Sequence, residues 1–428
     1  MARFIGIRHR TKVTAEEEAR PTQVVIAENG KEMTYDLPDE QAELDFLLGT
    51  FPTTFRDVRE DENISKIPDR HLRMKKLGKD KPPKTLVRTI DGDKFVVQKV
   101  ASAFTGIAKG DTIAMVLGGS GDYFAYALTR RGDEIGAKVI RIPSFVLKRE
   151  RGANTGEEEK GDDAALLARL AAQKPNLFYD VRSRDKEVIL LREAFRARID
   201  AMKARIACEQ RLRQHFVGNL FCRADGYFPE GAVEKLYDDA KSSDAVFLAL
   251  CKEEAARERE LKKAVEASGV WQEVFSKVEG MGWAIASRII AGVVDIRRFE
   301  TEAKFKAFCG VHVLSDGRFP RRRVGQVANW HPDVRQAMYL FGDQMVRRPD
   351  SKWGKVQRGY KKKFRDKHPT EVTQENGKKR YTDGHIHKMA TWRSLTKFAE
   401  WLYGEWQTFE HGSSVVVDLA SRRARKAA

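Results

Sequence analysis

A long apolar stripe between Asp185 and Phe216 most constrains how this chain can fold. Apolar residues recur there every three or four positions, at Val188, Leu191, Phe195, Ile199, Met202 and Ile206. This is the period of a helix with one buried face. A second helical pattern runs from Ala232 to Ala267, so we expect the two to pair as an antiparallel coiled-coil hairpin. Because long isolated helices need a partner for their apolar face, we expect a homodimer through this hairpin, with a plain helical spacer as the alternative.

The region before this hairpin has the pattern of an α/β domain. An amphipathic stretch from Asp122 to Arg131 stands between two β-type runs, which predicts a βαβ unit. Two segments are predicted to be loops: Arg56 to Pro83, as an inserted mobile excursion, and Arg149 to Gly161. The β-type runs are Phe4 to Ile7, Gln23 to Ala27, Lys94 to Val100, Thr112 to Leu117 and Ala137 to Ile142.

Positive charge is concentrated at the other end of the chain. The 428 residues carry 79 lysines and arginines against 62 aspartates and glutamates, a net charge of +17. From Val311 to Ala428 there are 25 basic and 12 acidic residues, a surplus of 25 − 12 = 13. Lysine and arginine release counterions from phosphate backbones, so a polyanion is the expected partner. With no run of 18 apolar residues and no signal peptide, we expect a cytoplasmic, nucleoid-associated protein without a membrane partner.

Two glycines mark a candidate phosphate-binding turn. The stretch from Val278 to Ala286, followed by Ile289 and Ile290, fits a helix-hairpin-helix pattern with glycines at Gly280 and Gly282. The glycines permit a tight turn, after which backbone N–H groups and a helix N-terminus face a phosphate. The alternative is a turn between helices that binds nothing.

Clusters of basic residues follow this turn and predict phosphate contacts. Adjacent arginines, and rows of lysine at a spacing typical of loops, suit backbone phosphates better than base edges. The residues that we expect to contact phosphate here are Arg318, Arg321, Arg322, Arg323, Arg347, Arg348, Lys361, Lys362 and Lys363. Trp330 and Trp353 lie between these clusters, where their rings could stack on unpaired bases. Trp392, Trp401 and Trp406 have helical spacing and are expected in a core helix.

No metal site is expected from the sequence. The four cysteines form no CxxC pair, and His385 and His387 have no carboxylate or thiol at a supporting spacing. We therefore expect His385 to cap a helix or, together with Lys388, to contact a phosphate.

These segments, in this order, resemble the bridge-RNA-guided, DEDD-type insertion-sequence transposases. The likeness is strongest over residues 278–323 and continues at 384–406, and it is weaker over 113–128, 140–152 and 161–171. It implies an α/β RNase H-like (RuvC-like) domain over residues 1–165 and a coiled-coil hairpin over 166–268. A mostly α-helical, basic Nop-like or transposase-like domain over 269–410 and a basic tail over 411–428 would follow. The helical parts also bear a remote resemblance to Nop-domain guide-RNA proteins and to Tas proteins of tandem-interspaced-guide-RNA systems.

The resemblance also implies that the RNase H-like domain is degenerate. RuvC-type cleavage needs several carboxylates to hold two divalent metals. Arg8 stands where the family has its first aspartate, a Gly-Gly-Ser-Gly turn (118–121) where it has its glutamate, and Lys160 where it has one of its last two aspartates. Asp163 matches, and Asp162, Glu159 or Asp122 would have to substitute in a shifted register. We expect no cofactor, and Mg²⁺ only if this site is active.

The second catalytic element implied by the resemblance is a serine nucleophile, for which Ser315 is the candidate, although Ser-Asp-Gly is equally good turn chemistry. The sequence thus predicts an RNA-guided DNA-binding protein without RuvC nuclease activity, with guide RNA and double-stranded target DNA as partners. One alternative is an active transposase or site-specific recombinase that uses Ser315, with Asp163 in an unusual metal site. Another is an architectural nucleic-acid-binding protein without a guide.

Overall fold

The chain folds into two compact units, Met1–Val181 and Arg182–Ala428. The computed structural model describes residues 3–11, 19–59, 62–78, 82–119, 121–155, 162–181, 183–222, 230–315, 317–322, 325, 328–373, 377 and 379–411. Several residues singled out in the sequence lie outside these ranges: Glu159, Lys160, Ser120, Arg323 and the basic tail after His411.

The first unit contains ten named strands and four named helices among its described residues. The strands are β1 (Phe4–Arg8), β2 (Thr22–Glu28), β3 (Lys31–Leu37), β4 (Phe51–Asp57), β5 (Leu72–Lys76), β6 (Val87–Ile90), β7 (Asp93–Thr105), β8 (Thr112–Leu117), β9 (Lys138–Pro143) and β10 (Tyr179–Asp180). The helices are α1 (Glu40–Leu48), α2 (Asp122–Ile135), α3 (Ser144–Thr155) and α4 (Asp163–Gln173). All five predicted strands and the helix that begins at Asp122 are confirmed.

Six of these strands form a mixed sheet in the order β10-β9-β8-β1-β2-β3. The strands β1, β2 and β3 are antiparallel neighbours, whereas β8 runs parallel to both β1 and β9. Ile5 and Ile113 belong to a core with residues of α1 and α2, and Ile140 belongs to a second core with residues of α3 and α4. Helix α4 crosses β1 closely at Gly6, where a Cβ would lie 1.9 Å from the carbonyl oxygen of Ala164. The apolar strands thus carry helices on both faces, as their hydrophobic runs require.

The two loop predictions in this unit are wrong for the described residues. Strands β4, β5 and β6 all pair with β7 in a second, antiparallel sheet. Ile64 and Leu72 from the predicted excursion pack against Val97 and Val100 of β7, so this segment has a small core of its own. The segment from Arg149 begins inside α3 rather than in a loop, because the buried Val146 and Leu147 start a helix that runs on to Thr155.

The second unit is helical, with one short antiparallel strand pair among its described residues. Its helices are α5 (Ser183–Phe221), α6 (Val233–Ser243), α7 (Ala245–Ala267), α8 (Trp283–Val293), α9 (Glu302–Phe308), α10 (Pro332–Arg347), α11 (Lys352–Lys367) and α12 (Asp383–His411). The strand pair is β11 (Val372–Thr373) and β12 (Lys379–Arg380).

The predicted helical hairpin is confirmed as α5 packed against α7. The two run antiparallel. Arg205 near the middle of α5 pairs with Glu254 of α7, while Leu191, earlier on α5, shares a core with Leu261, later on α7. The second arm is two helices rather than one. Asp244 ends α6 and caps α7, its side chain accepting a hydrogen bond of 2.7 Å from the backbone N–H of Phe247.

The core of the second unit surrounds α12. Phe398 and Trp406 of α12 are fully buried against residues that include Ile289 of α8 and Phe341 of α10. The expected core position of Trp406 is confirmed, whereas Trp401 and Trp392 are only partly buried. No helix in the described part of the chain is long and apolar enough to cross a membrane.

Candidate nucleic-acid interface

Helices α10, α11 and α12 leave between them a cavity of about 1960 Å³, which we call the basic groove. Residues 312–314 and 317–322 and the strand β12 complete its wall. None of the described residues that line it is an aspartate or a glutamate. Its lysines and arginines are Arg318, Arg321, Arg322, Arg335, Lys363, Lys367, Lys379, Arg380, Lys388 and Arg393. Its aromatic residues are Phe319, Trp330, Tyr339, Tyr360, Phe364, Tyr381 and Trp392. Ten cations and no described carboxylate make this surface strongly attractive to a polyanion.

One face of α11 supplies rings and charges in alternation. Tyr360, Lys363, Phe364 and Lys367 stand at positions i, i+3, i+4 and i+7, which share a helix face. The rings of Tyr360 and Phe364 are nearly parallel, 6.0 Å between centroids. The prediction that the lysine row lies at loop-like spacing is therefore wrong. The row lies on a helix, where neighbouring residues point in different directions, so Lys363 lines the groove while Lys361 and Lys362 are exposed outside its lining.

Arg335 joins two walls of the basic groove. Its guanidinium lies over the indole of Trp330 at 4.2 Å from the ring centroid and over that of Trp392 at 4.9 Å. It also donates hydrogen bonds to the carbonyl oxygens of Gly310 at 2.8 Å and Pro320 at 2.7 Å. Burial lowers the pKa of Arg335. With its donors committed to two carbonyl groups, Arg335 fixes the segment that carries the basic cluster.

That segment begins with a tight turn and continues into exposed arginines. The backbone N–H of Leu314 donates to the carbonyl of Arg318 at 2.8 Å, and Gly317, with φ +75°, donates back to Leu314. Ser315 is exposed in this turn, between residues that line the groove, and none of the described residues hydrogen-bonds its hydroxyl. The predicted turn chemistry is thus present, and Ser315 stands at the edge of the groove. Arg321 and the neighbouring Arg322 are exposed in the groove wall.

Three stacked rings also line the basic groove. Tyr381 lies parallel to His368, with centroids 3.8 Å apart, and to His385, with centroids 5.6 Å apart. Arg365 holds this arrangement, donating to the backbone carbonyls of His368 and Tyr381 at 3.2 and 3.1 Å. Tyr381 has a φ of +58°, a conformation that needs such support in a bulky residue.

His385 lies in the first turn of α12. Its Nδ1 accepts a hydrogen bond of 3.0 Å from the backbone N–H of Tyr381, which lies two residues before α12. Burial lowers the pKa of His385, and the nearby Arg380 and Arg321 lower it further. Lys388, one turn further along α12, also lines the groove.

The predicted glycine turn before α8 is confirmed, outside the lining of the groove. Gly280 has a φ of +87°, and a Cβ there would lie 3.1 Å from the Cβ of Gln344 and 3.4 Å from the Cδ of Arg348. Gly282 is the residue before α8 and faces open space. The exposed Arg348 therefore lies beside the glycine turn, and with the exposed Arg347 next to it in the chain it forms a second basic surface on this unit.

In the first unit, the candidate metal-binding carboxylates are held by arginines. Arg151 donates to both oxygens of Asp163 at 2.9 Å, and Arg141 pairs with the fully buried Asp122. Arg8 is the last residue of β1. Because β1 runs parallel to β8, the carboxyl ends of these two strands lie at the same edge of the sheet. Among the residues that the structure describes, no three histidine, cysteine or acidic side chains are grouped to hold a metal ion. Residues paired in this way do not fit a two-metal site of the RuvC type.

Several groove residues are not among the sequence-based candidates. The missed residues include Arg335, Tyr339, Tyr360, Phe364, Lys367, His368, Lys379, Arg380, Tyr381 and Arg393. The α11 face could have been found, since its rings and lysines recur with helical spacing. The others come from separate elements that only the packing of the helices brings together.

Residues 272–356 match the family model described as Transposase IS116/IS110/IS902 family. The matched segment contains the glycine turn, α8, α9, Ser315, the exposed arginines and α10, and so includes one side of the basic groove. The search of curated proteins found no match. The family match supports an IS110-type transposase and a transposase-related function for this chain.

Proposed function

We propose that this protein is a transposase-related, RNA-guided DNA-binding protein that holds nucleic acid in the basic groove. The observation that carries the proposal is the lining of that groove, ten lysines and arginines without a described carboxylate. Such a surface binds phosphate groups whatever the base sequence. It lies in the unit that contains the transposase-family match.

The proposed partners are a structured guide RNA and a double-stranded target DNA. In guided recognition, base pairing between guide and target reads the sequence, and the protein needs only to grip backbones. A groove lined by many cations can contact phosphate and 2′-hydroxyl groups without reading the bases, which is what guided recognition requires of the protein. The basic Gly280 turn, with Arg347 and Arg348, offers a second phosphate-binding surface on the same unit.

The first unit is proposed to be an RNase H-like domain without nuclease activity. Its support is the sheet order β9-β8-β1-β2-β3, with β1, β8 and β9 parallel and β2 antiparallel to β1. The pairing of Asp163 with Arg151 and of Asp122 with Arg141 supports the loss of the metal site. An arginine beside each carboxylate supplies the positive charge that a metal would otherwise bring.

Self-association through the helical hairpin is the remaining part of this proposal. Ile206 of α5 and Leu248 of α7 are exposed on this hairpin, 37% and 39% respectively. Covering them with a second copy would remove apolar surface from water. Light scattering of the wild type and of an Ile206→Glu/Leu248→Glu variant tests it. A dimer that the variant converts to a monomer supports the proposal, and a wild-type monomer contradicts it.

A second candidate function is an active transposase or recombinase with Ser315 as nucleophile. One observation favours it: Ser315 is exposed at the edge of the basic groove, inside the family-matched segment. A strand-transfer assay on wild type and Ser315→Ala separates the two candidates. DNA cleavage or joining that is lost in Ser315→Ala supports the enzyme, and guided binding by the wild type without any DNA cleavage or joining supports the binding protein.

The proposed function is tested first by sequencing the RNA that copurifies with the protein from its native host. A single discrete species supports guided binding, and heterogeneous fragments or none contradict it. The basic groove is then tested with a Lys363→Ala/Lys367→Ala variant against a Lys361→Ala/Lys362→Ala control. Both remove two charges from α11, but only the first pair lines the groove.

If the groove grips phosphates, the first variant weakens binding and lowers the slope of log Kd against log salt by about 0.7 to 0.9 for each lost contact. The control is expected to change both quantities much less. Equal effects of the two variants would place the binding surface elsewhere.

A further inference from the structure

We infer that the basic groove takes a single-stranded segment of nucleic acid, with unpaired bases stacked on its open aromatic rings. This inference rests on the proposed function and names the form of nucleic acid that the groove accepts. Cations alone would suit any polyanion, including a duplex. The groove combines its cations with aromatic side chains, and these aromatic side chains favour a single strand over a duplex.

Some of these aromatic rings already have partners within the protein. Trp330 and Trp392 are covered by the guanidinium of Arg335, and Tyr381 lies between two histidine rings. Phe319 lies 6.0 Å from Trp392 between ring centroids. These four rings build the wall of the groove.

The remaining rings are open to the groove. Tyr339 on α10 is 58% exposed, although large aromatic side chains are usually covered when they have no ligand to bind. Tyr360 and Phe364 on α11 lie 6.0 Å apart between ring centroids, and both remain partly exposed on the groove-lining face. Helices α10 and α11 pack against each other, so rings from both helices border the same groove.

Cations stand one helical turn from these rings. Lys363 follows Tyr360 by three residues on α11, and Lys367 follows Phe364 by three. A single strand presents a phosphate and a base face at every nucleotide, so it can use both kinds of side chain. In a duplex the base faces are stacked on one another, so only phosphates and base edges are accessible to the groove wall. The exposed aromatic rings would then have no base to stack on.

The test compares four oligonucleotides of equal length by fluorescence anisotropy with the full chain. These are single-stranded RNA, single-stranded DNA, a DNA duplex, and a DNA strand in which abasic sites replace the bases but the phosphates remain. We expect the single strands to bind at least about tenfold more tightly than the abasic strand, the typical loss when one base–aromatic stack is removed. The tighter of RNA and DNA identifies which single strand the groove prefers.

A variant locates the stacking in the groove. Tyr339→Leu should bind the normal single strands about tenfold more weakly and the abasic strand as well as the wild type does, while Tyr339→Phe should bind all four like the wild type. Because Tyr339 is exposed, neither change should alter the thermal unfolding temperature. The salt slope should stay at its wild-type value in Tyr339→Leu but fall in the Lys363→Ala/Lys367→Ala variant.

The outcomes separate the two proposals. If the abasic strand or the duplex binds as tightly as the single strands, or if Tyr339→Leu binds normally, the single-strand inference is overturned while the phosphate-binding groove stands. If no oligonucleotide binds, or if the groove lysines prove irrelevant, both the groove assignment and the inference fail.

Discussion

Arg151 holds the carboxylate of Asp163 through two hydrogen bonds of 2.9 Å, and both residues are only 8% exposed. The geometry is the two-pronged match of a guanidinium to a carboxylate. Arg151 lies on α3 and Asp163 begins α4, so the pair joins two helices of the same core. In this unit an arginine, and not a metal, balances the acidic residue.

The first prediction concerns the stability of this pair. Asp163→Ala leaves the charge of Arg151 buried and unpaired, so it should lower the free energy of unfolding by about 3 kcal/mol, as breaking a buried ion pair does. Urea denaturation measures this, and Mg²⁺ should shift neither the wild-type nor the variant midpoint. Glu134→Ala, which breaks an exposed pair with Arg131, is the control and should cost under about 1 kcal/mol. An Asp163→Ala protein as stable as the wild type would contradict the structural role of the pair.

The second prediction separates the two glycines of the turn before α8. Gly280→Ser should destabilise the protein by about 1 to 2 kcal/mol, because its φ of +87° is strained for any side chain and its Cβ would press on Gln344. Gly282→Ser should be tolerated, since its φ of −69° is ordinary, the space is open and serine caps helices well. Thermal unfolding of both variants checks the contrast. Equal losses of stability in the two variants would mean that the backbone geometry at Gly280 is not the cause of the destabilisation.

The third prediction concerns Arg335 as the brace of the groove wall. Arg335→Lys keeps the charge but loses the pair of hydrogen bonds to Gly310 and Pro320 and the flat stacking between two indoles. We expect about 1 to 3 kcal/mol lower stability and weaker nucleic-acid binding with an altered salt slope. Arg358→Lys, on an exposed arginine outside the groove lining, is the matched control and should leave both quantities unchanged. If Arg335→Lys has the stability and the nucleic-acid binding of the wild type, only the positive charge at this position contributes, and not its hydrogen bonds or stacking.

The fourth prediction follows from the lowered pKa of His385. The unfolded chain takes up a proton on this histidine near its ordinary pKa of 6.5, while the folded protein resists protonation because of burial, Arg380 and Arg321. Folding stability should therefore fall as the pH drops below about 6.5, and level off once the folded protein is protonated as well.

The His385→Asn variant should lose less folding stability between pH 7.5 and 5.5 than the wild type does, as measured by the midpoints of urea denaturation. Asparagine retains an oxygen that can accept from the N–H of Tyr381, the bond that Nδ1 accepts in the wild type. His387→Asn on the same helix controls for the replacement of a histidine in general. If the wild type and His385→Asn lose the same stability over this pH range, His385 is not the titrating group.

Much of the architecture could be predicted from the sequence because it depends on local periodicity. The apolar stripe of α5, the strands β1, β2, β8 and β9, and the turn at Gly280 all have patterns that are complete within a short window. Errors arose where local signals conflict with packing. The segment from Arg56 to Pro83 has a polar and proline-rich composition, yet Ile64 and Leu72 supply enough apolar surface to pack against β7.

The concentration of positive charge after Val311 and the pairing of two helical segments in a hairpin follow from the amino-acid sequence alone. Only the tertiary structure decided which cations face one groove, because Lys363, Arg380 and Lys388 belong to three separate elements. Only the tertiary structure, too, gave Asp163 and Asp122 their arginine partners. The physical reason is that helix and strand periods act between near neighbours in the chain, whereas electrostatic and stacking partners are chosen by distance in space.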